Sequence, residues 1–293
     1  MAKFASASRQ AESVIKALSD SGAVKSLGTA RNYAQALTRV GEWVKEEKIH
    51  SLRSLTLEQA HHYLAMRGQE VGQKTLDMER QAIQSMFTHL TGQLNEGEKI
   101  RAKSELEQVL KGRAYTTDQA KYIADHQKGG NQLATQIAHS SGLRAHELLT
   151  LRTVDERAAD PRPSLDTKWQ GREGQLYTVT GKGGLTREVM IPSHLAAELE
   201  KMRLAEPVGI KDREIWYQTH YSLAGGKNWS SSFSSASSRL LGWSTGAHGL
   251  RHSYAQERMA ELQAAGLTRA ASLETVSQEM GHFRPEITEA YLR

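Results

Sequence analysis

The most reactive side chains of this sequence are concentrated near its C-terminus. His248 and Arg251 stand in the run His-Gly-Leu-Arg-His, His282 follows Met-Gly, and Tyr291 comes close to the last residue. A phenolic oxygen can attack an electrophile and form a covalent ester, provided that cations prepare the electrophile. Arginine and histidine are suitable as cations and as proton carriers. This stretch therefore predicts nucleophilic chemistry at Tyr291.

Helix signals in the same stretch indicate how these side chains come together. Gly266 and Gly281 occupy positions typical of residues that follow a helix, and Pro285 is placed like the first residue of one. Ile287 and Tyr291 have the i, i+4 spacing that puts two side chains on the same face of a helix. We therefore expect Ile287 to anchor the turn that presents the Tyr291 ring.

Polar residues further upstream suit the same chemistry. Arg144 follows Ser-Gly, with Glu147 one helical turn later. Lys182 lies in Gly-Lys-Gly-Gly between two β-rich runs, residues 175–180 and 185–191. These runs predict a β-hairpin with Lys182 at its tip.

Together these residues suit displacement at a phosphodiester. The guanidinium groups of Arg144 and Arg251 can neutralise the nonbridging oxygens in a bidentate way. Lys182 can protonate the departing 5′ oxygen. Tyr291 would then form a phosphotyrosine ester, which divides one difficult displacement into two reversible steps.

Each of these residues has an ordinary alternative when it is taken alone. Taken alone, Arg144 is more typical of a helix-surface residue paired with Glu147, and Lys182 is more typical of a solvated turn. His248 and His252 have a spacing known from metal sites, but no glutamate follows His248 and no third ligand is evident. We therefore predict no metal site.

The secondary-structure pattern predicts two domains. Apolar residues at helical spacing predict four helices and no strand within residues 1–92, the third helix opened by a capping box at Thr56 to Gln59. Residues 93–112 are turn-like and charged, and we interpret them as a linker. Residues 113–293 combine helices, including one expected over residues 143–151, with the hairpin. The predicted fold class is mainly α with a small β-sheet (α+β), in which a mixed α/β domain follows a helical domain.

Composition narrows the classes of function. The chain has 293 residues, enough for two cores, and Lys+Arg 38 against Asp+Glu 33 gives a net charge of +5, which permits an anionic partner without requiring one. The absence of cysteine excludes disulfides, thiol nucleophiles and thiolate metal sites. No apolar run is long enough to span a bilayer and no signal-peptide pattern is present. We expect a cytoplasmic protein with no membrane partner.

These motifs make the chain resemble the tyrosine recombinases of the phage-integrase superfamily. In family order the sequence contains Ser-Gly-Leu-Arg144, Gly-Lys182-Gly-Gly, His248-Gly-Leu-Arg251, and Met-Gly-His282 with Tyr291. They are similar to the family's first arginine box, its β-hairpin lysine, its His-x-x-Arg box, and its final histidine and tyrosine. The N-terminal helices resemble the family's core-binding domain, so the likeness spans nearly the whole chain.

The resemblance implies the roles of the main catalytic residues. Arg144 and Arg251 would hold the scissile phosphate, and Lys182 would be the general acid. Tyr291 would attack the phosphate and leave a 3′-phosphotyrosine and a free 5′-hydroxyl. The activity implied is site-specific DNA cleavage and rejoining, with the biological use, such as integration of a mobile element, left open.

The resemblance also implies roles for three further residues and implies which partners the protein binds. His248 and His282 would hydrogen-bond to the phosphate or move protons, and Glu147 would orient the arginine region. No metal, nucleotide or other cofactor is expected, because the ester conserves the bond. The implied partner is double-stranded DNA with specific sites, bound by a homotetramer on two sites. Many relatives continue past the tyrosine into a helix that docks on a neighbouring protomer; here two residues follow Tyr291, so we expect another contact or a truncated chain.

The N-terminal helices offer basic side chains for DNA. Arg31, Arg39, Lys74 and Arg80 lie away from the predicted apolar faces. We expect them to contact phosphates, which would position DNA without reading its sequence, although solvated helix faces carry similar charges.

Two other functions stay open for a chain with this resemblance. One is relaxation of DNA like that of a type IB topoisomerase, which shares the chemistry without paired sites. The other is a DNA-binding or regulatory protein of the same fold that has no catalytic activity.

Overall fold

The computed structural model describes residues 5–181 and 183–293. The chain divides into two compact units, Met1–Val109 and Leu110–Arg293. Helices predominate in both units, and the strands form two small antiparallel sheets. The predicted fold class, mainly α with a small β-sheet, is confirmed. None of the helices in the described residues is long and apolar enough to cross a membrane.

The first unit is helical because apolar residues recur along one face of each helix. Its helices are α1 (Ala7–Asp20), α2 (Leu27–Glu46), α3 (Leu57–Glu70) and α4 (Gln73–Met86), with a 3₁₀ turn at Leu52–Ser54 and a π turn at Phe87–Thr91. Val14 and Leu18 on α1 are fully buried. The predicted capping box opens α3: Gln59 N donates to the Thr56 hydroxyl at 3.2 Å, and Thr56 N donates to the Gln59 side chain at 3.0 Å.

Part of the segment that we interpreted as a linker, residues 93–112, packs on the first unit. Leu94 and Ile100 are buried in the core of that unit. The Arg80 guanidinium donates to the Ile100 carbonyl oxygen at 3.3 Å. These apolar residues stand singly among polar and charged ones, so no periodic pattern in the sequence reveals their burial.

The second unit combines helices with two sheets. Its helices are α5 (Thr117–Asp125), α6 (Gly130–Ser141), α7 (Ser193–Lys201), α8 (Gly226–Leu241), α9 (Gly249–Ala264), α10 (Arg269–Glu279) and α11 (Pro285–Thr288), with 3₁₀ turns at Glu147–Thr150 and Glu289–Tyr291. Its strands are β1 (Arg152–Thr153), β2 (Gln175–Thr180), β3 (Thr186–Ile191), β4 (Arg203–Asp212) and β5 (Ile215–Tyr221).

The predicted β-hairpin forms the centre of the larger sheet. Its strand order is β1-β2-β3, and both pairs are antiparallel. Thr180 pairs with Thr186, and Gly181 N donates to the Leu185 carbonyl oxygen at 2.7 Å, which closes the turn. Lys182, predicted at the tip, lies outside the described residues.

The loop after α6 differs from the expected structure. Gly142 ends α6 as predicted, with φ of +61°, and a Cβ there would lie 2.6 Å from the Tyr254 ring. Both the left-handed backbone and the close ring therefore require glycine. The helix expected over residues 143–151 is wrong, since only the 3₁₀ turn Glu147–Thr150 forms. Every side chain from 147 to 151 is buried, and one face of an α-helix cannot bury five consecutive residues.

The β4–β5 hairpin was absent from the sequence-based prediction. Most of β4 is exposed, and Val208 on β4 and Trp216 on β5 are 50% and 69% exposed. A strand that buries neither face shows no alternation of apolar and polar residues, so the pattern that marks strands is missing.

Candidate active site

Arg251 lies at the centre of the candidate site. It is in the first turn of α9, and its side chain is completely buried. Its guanidinium donates to the carbonyl oxygens of Gly142 and Met280, the second at 2.5 Å, and lies 2.9 Å from His282 Nε2. Carbonyl oxygens carry only partial charge, so these bonds orient the guanidinium without neutralising it. Burial, and then Arg144, lower the pKa of Arg251, which means that an anion beside it would be strongly favoured.

Glu147 is the carboxylate that joins the guanidinium groups. It is fully buried, and its oxygens accept hydrogen bonds from Arg144 Nη1 at 2.7 Å and from Arg187 Nη2 at 3.0 Å. The Arg144 backbone N also donates to it at 2.8 Å. Burial alone would raise the pKa of Glu147, but Arg187, Arg251 and Arg144 together hold it well below its ordinary value. Glu147 is therefore ionised, and it is hydrogen-bonded to both the backbone and the guanidinium of Arg144.

Arg187 belongs to this cluster, although we did not single it out from the sequence as a site residue. It is 5% exposed and also donates from Nη1 to the Glu279 carbonyl oxygen at 2.8 Å. The sequence does contain a feature that could have identified it: Arg187 alternates with Val189 and Ile191 on the buried face of β3. A charged residue at an inward position of a strand needs a buried partner.

His282 is held in one orientation by two hydrogen bonds. Arg251 donates to Nε2, so Nδ1 carries the proton and donates to the Thr288 hydroxyl at 2.9 Å. Burial, followed by the positive charges of Arg251 and Arg144, lowers the pKa of His282 to about 3. The imidazole is therefore neutral at physiological pH.

The turn that carries Tyr291 is anchored differently from our expectation. Ile287 is 38% exposed, so the expectation that it anchors the turn is wrong. Thr288, the next residue, is fully buried through its bond to His282. The α11 helix is followed by a 3₁₀ turn, which rotates the next side chains away from the face that an uninterrupted α-helix would bury.

Tyr291 itself lies among the predicted site residues. Its ring centroid is 5.5 Å from that of His248, 4.7 Å from that of His252 and 5.0 Å from that of His282. The Arg251 guanidinium carbon is 5.6 Å from the Tyr291 ring centroid. The structure thus brings the pair His248 and Arg251 together with His282 and Tyr291, which follow about 30 to 40 positions later in the sequence.

The backbone of the same turn is tied to α9. Gln256 Nε2 donates to the carbonyl oxygen of Tyr291 at 3.1 Å and to that of Arg293 at 2.9 Å. His252, one helical turn before Gln256, is 7% exposed, and its Nδ1 has no hydrogen-bond partner among the described residues. Burial and the cation Arg113 lower the pKa of His252 to about 4. The nucleophile candidate is therefore held by one face of α9.

The site is open on the side of Arg144 and His248. The Arg144 side chain is 23% exposed, whereas Arg187 and Arg251 are buried. His248 is exposed, and its pKa is lowered by partial loss of hydration and by Arg251. Among the described residues, no group of three or more histidine, aspartate or glutamate side chains could hold a metal ion.

Lys182 is a predicted site residue whose position the structure leaves undescribed. The residue before it, Gly181, lies against the cluster, since a Cβ at Gly181 would be 3.3 Å from Glu147 Oε1 and 3.9 Å from Arg144 Nη1. The turn of the β2–β3 hairpin therefore begins beside Arg144 and Glu147, two of the predicted site residues.

The four basic residues predicted to contact DNA belong to the first unit. Arg31 and Lys74 are exposed, and Arg39 is exposed beside Glu42 at 3.2 Å. Arg80 is only 18% exposed and bonds to Asp77 and to the Ile100 carbonyl oxygen. Arg80 is thus already engaged within its own unit, unlike Arg31 and Lys74.

Several solved structures share the fold of this chain. No family model and no curated protein matches the sequence. The structure is similar to that of the XerH site-specific recombinase bound to its difH substrate before cleavage, with 19% identity and a TM-score of 0.58 over 98% of this chain and 81% of that one. The post-cleavage complex of XerH gives 18% identity and a TM-score of 0.60 over 99% and 82%.

A second protein gives the same result. A lambda integrase dimer bound to a COC′ core site is 14% identical, with a TM-score of 0.58 over 97% of this chain and 94% of that one. Identities this low establish a common fold and leave activity undecided. The chain has the fold of the tyrosine recombinases and phage integrases.

Proposed function

We propose that this protein is a site-specific DNA recombinase that cleaves and rejoins strands through a 3′-phosphotyrosine at Tyr291. The observation that carries the proposal is the grouping of one phenol, neutral imidazoles and a buried guanidinium. Tyr291, His248, His282 and Arg251 lie within one site, with ring centroids 5.0 and 5.5 Å from Tyr291 for the two histidines. This grouping puts a nucleophile, proton acceptors and a cation suited to a phosphate side by side.

The charge of the cluster suits a phosphodiester and its transition state. Three guanidinium groups, from Arg144, Arg187 and Arg251, surround the single carboxylate of Glu147. The site therefore carries excess positive charge in the absence of DNA. A phosphodiester brings one negative charge, and attack by an oxygen concentrates more on the phosphoryl oxygens. Fixed cations stabilise that added charge more than the ground state, which lowers the barrier.

The proposed reaction assigns each bond and proton. The Tyr291 oxygen attacks phosphorus and loses its proton to a neutral imidazole, for which His248 is the candidate because its lowered pKa keeps it unprotonated at neutral pH. The bond from phosphorus to the 5′ oxygen breaks, and Lys182 is proposed to protonate that oxygen. A 5′-hydroxyl attacks the phosphotyrosine in the reverse direction to rejoin a strand. The step needs no oxidant, nucleotide or metal.

The proposed partner is double-stranded DNA with specific sites. The similar XerH and lambda integrase structures are complexes with a difH substrate and a COC′ core site. By analogy we propose that a homotetramer of this chain acts on two such sites. Arg31, Arg39 and Lys74 are proposed to contact phosphates, and each lost contact should reduce the salt dependence of binding by a slope of about 1. Arg80 is the weakest of the four initial candidates, because Asp77 and Ile100 already occupy its guanidinium.

Trapping of the covalent intermediate tests the proposal. Nicked suicide DNA with candidate sites from the flanks of the gene is incubated with the protein in EDTA and run on a denaturing gel. We expect a shifted band with the native chain, none with Tyr291→Phe, and an unchanged band with Tyr122→Phe. Tyr122 is a matched control because it is 46% exposed and stands on α5, outside the site.

Other results would favour the two competing functions. Relaxation of site-free plasmid by dilute protein would indicate topoisomerase-like activity. Tight DNA binding by the native chain without any adduct would indicate a noncatalytic DNA-binding protein. An adduct that persists in Tyr291→Phe would overturn the choice of nucleophile.

A further inference from the structure

A second buried carboxylate lies behind the arginine cluster. Glu279, the last residue of α10, has no exposed surface. Arg258 donates to it from Nε and from Nη2, both at 3.0 Å, and the Tyr254 hydroxyl donates at 2.8 Å. The backbone N of Trp169 donates to it at 3.0 Å. None of these four residues has a part in the proposed reaction.

The backbone at Glu279 holds the two buried guanidinium groups. The carbonyl oxygen of Glu279 accepts from Arg187 Nη1 at 2.8 Å. The carbonyl oxygen of Met280, the next residue, accepts from Arg251 Nη2 at 2.5 Å. The buried side chain of Glu279 and the two carbonyl oxygens that accept from Arg187 and Arg251 therefore belong to two consecutive residues.

Tyr254 connects the same carboxylate to the third acceptor. Its ring lies against Gly142, where a Cβ would be only 2.6 Å away. The carbonyl oxygen of Gly142 accepts from Arg251 Nη1. Both carbonyl oxygens that hold Arg251 thus lie next to this pair of residues: Met280 follows Glu279 in the chain, and Gly142 packs against the Tyr254 ring.

We propose that Glu279, held by Arg258 and Tyr254, is a positioning residue that sets the orientation of Arg187 and Arg251. The proposal rests on the proposed function, in which Arg251 neutralises the scissile phosphate. Bidentate contact between a guanidinium and a phosphate requires a fixed plane. If the carbonyls that fix the plane move, phosphate stabilisation is lost while the DNA-binding surface stays intact.

A cluster of the same chemistry in the first unit provides the matched control. Glu79 is 4% exposed and accepts from the Tyr63 hydroxyl at 2.9 Å and from Arg67 Nη2 at 2.9 Å. Glu79→Gln removes a buried carboxylate from a tyrosine and an arginine, as Glu279→Gln does. It therefore reproduces the cost in stability without touching a carbonyl that holds a site arginine.

The first measurement is the single-turnover rate of adduct formation at saturating protein. We expect Glu279→Gln to lower this rate by about ten- to a hundred-fold, the range expected when reacting groups are misplaced by up to 1 Å, with DNA affinity within two-fold of the native value. Tyr254→Phe keeps the ring on Gly142 and should give a smaller loss, so it serves if Glu279→Gln folds poorly. Glu79→Gln should leave the rate of folded protein unchanged. Equal rates for Glu279→Gln and Glu79→Gln would overturn the inference.

A second measurement is independent of catalysis. In ¹⁵N-labelled protein without DNA, the Nε–H resonances of Arg187 and Arg251 can be assigned because each disappears in Arg187→Lys or Arg251→Lys. These resonances should shift or broaden in Glu279→Gln and stay in place in Glu79→Gln. A native chain that forms no adduct but shows this result would overturn the proposed function and keep the positioning role. Resonances that do not move would overturn the positioning role whatever the activity.

Discussion

Replacement of Glu147 by glutamine should strongly destabilise the second unit. The side chains of Glu147 and Arg187 are 0% and 4% exposed, and their charged atoms are 3.0 Å apart. Glutamine has a similar shape but no charge, so Arg187 would stay buried without a counter-charge. Breaking a buried ion pair from one side costs about 3–5 kcal/mol. Arg144 adds less to this cost, because its side chain is partly exposed and can turn towards water.

This loss should appear in thermal unfolding at pH 7. For a unit of this size each 1 kcal/mol lowers Tm by roughly 2–4 °C, so we expect a decrease of about 10 °C. Glu198→Gln is the matched control, because Glu198 pairs with Lys201 and both side chains are more than half exposed (56% and 69%). Surface pairs contribute little, so its Tm should barely change.

The pH dependence of stability is a second, independent test of this prediction. The pKa of Glu147 in the folded chain is held below its ordinary value, mainly by Arg187 and Arg251 against the opposing effect of burial. The stabilisation is therefore complete above the unfolded pKa, about 4.3, and is lost as pH falls below it. The difference between native and Glu147→Gln proteins should shrink below pH 4. A loss under about 1 kcal/mol at pH 7, or equal to that of Glu198→Gln, would refute the reasoning.

Three further predictions concern separate parts of the site. Lys182→Ala should abolish cleavage of ordinary DNA and be rescued by a 5′-bridging phosphorothiolate, whose leaving group needs no proton; absence of rescue would exclude Lys182 as the acid. Burial lowers the pKa of His252 in the folded chain to about 4, so between pH 6.5 and 5 only the unfolded chain gains a proton at this residue. The native protein should therefore lose about 1.5 kcal/mol of unfolding free energy over this pH range through His252, and His252→Gln should not. Urea unfolding at the two pH values tests this, and an unchanged pH slope in the variant would contradict it. Gly142→Ala should cost about 1–3 kcal/mol from its positive φ and from contact with Tyr254, and calorimetry that shows no loss would mean that the ring moves freely.

The sequence could predict the part of the site that depends on local spacing. His248 and Arg251 are separated by one turn of the same helix, and Gly281 ends α10 just before His282, so their types and positions carry the information. Arg187 and Glu279 could not be found in this way. Their partners stand up to 110 positions away, and no local pattern encodes such a pairing.

The prediction at Ile287 shows a related limit. Helical periodicity assumes one continuous helix, but α11 gives way to a 3₁₀ turn after four residues. The hydrogen bond from His282 to Thr288 supplies the anchor instead. A polar contact of this kind leaves no trace in apolar spacing.

The shallow attachment of the Tyr291 turn has a consequence for the kinetics of the protein. Within Pro285–Tyr291, all of which the structure describes, Thr288 is the one fully buried side chain. The turn's other ties include the bond from Gln256 to the Tyr291 carbonyl oxygen, an exposed ion pair between Arg269 and Glu289, and packing of the partly buried Tyr291 ring against α9 and α10. Such a segment opens locally at a free energy far below that of global unfolding. Every rate that involves the phenol is then scaled by the fraction of molecules in which the turn is closed, so amide hydrogen exchange at the turn reports directly on the competent population.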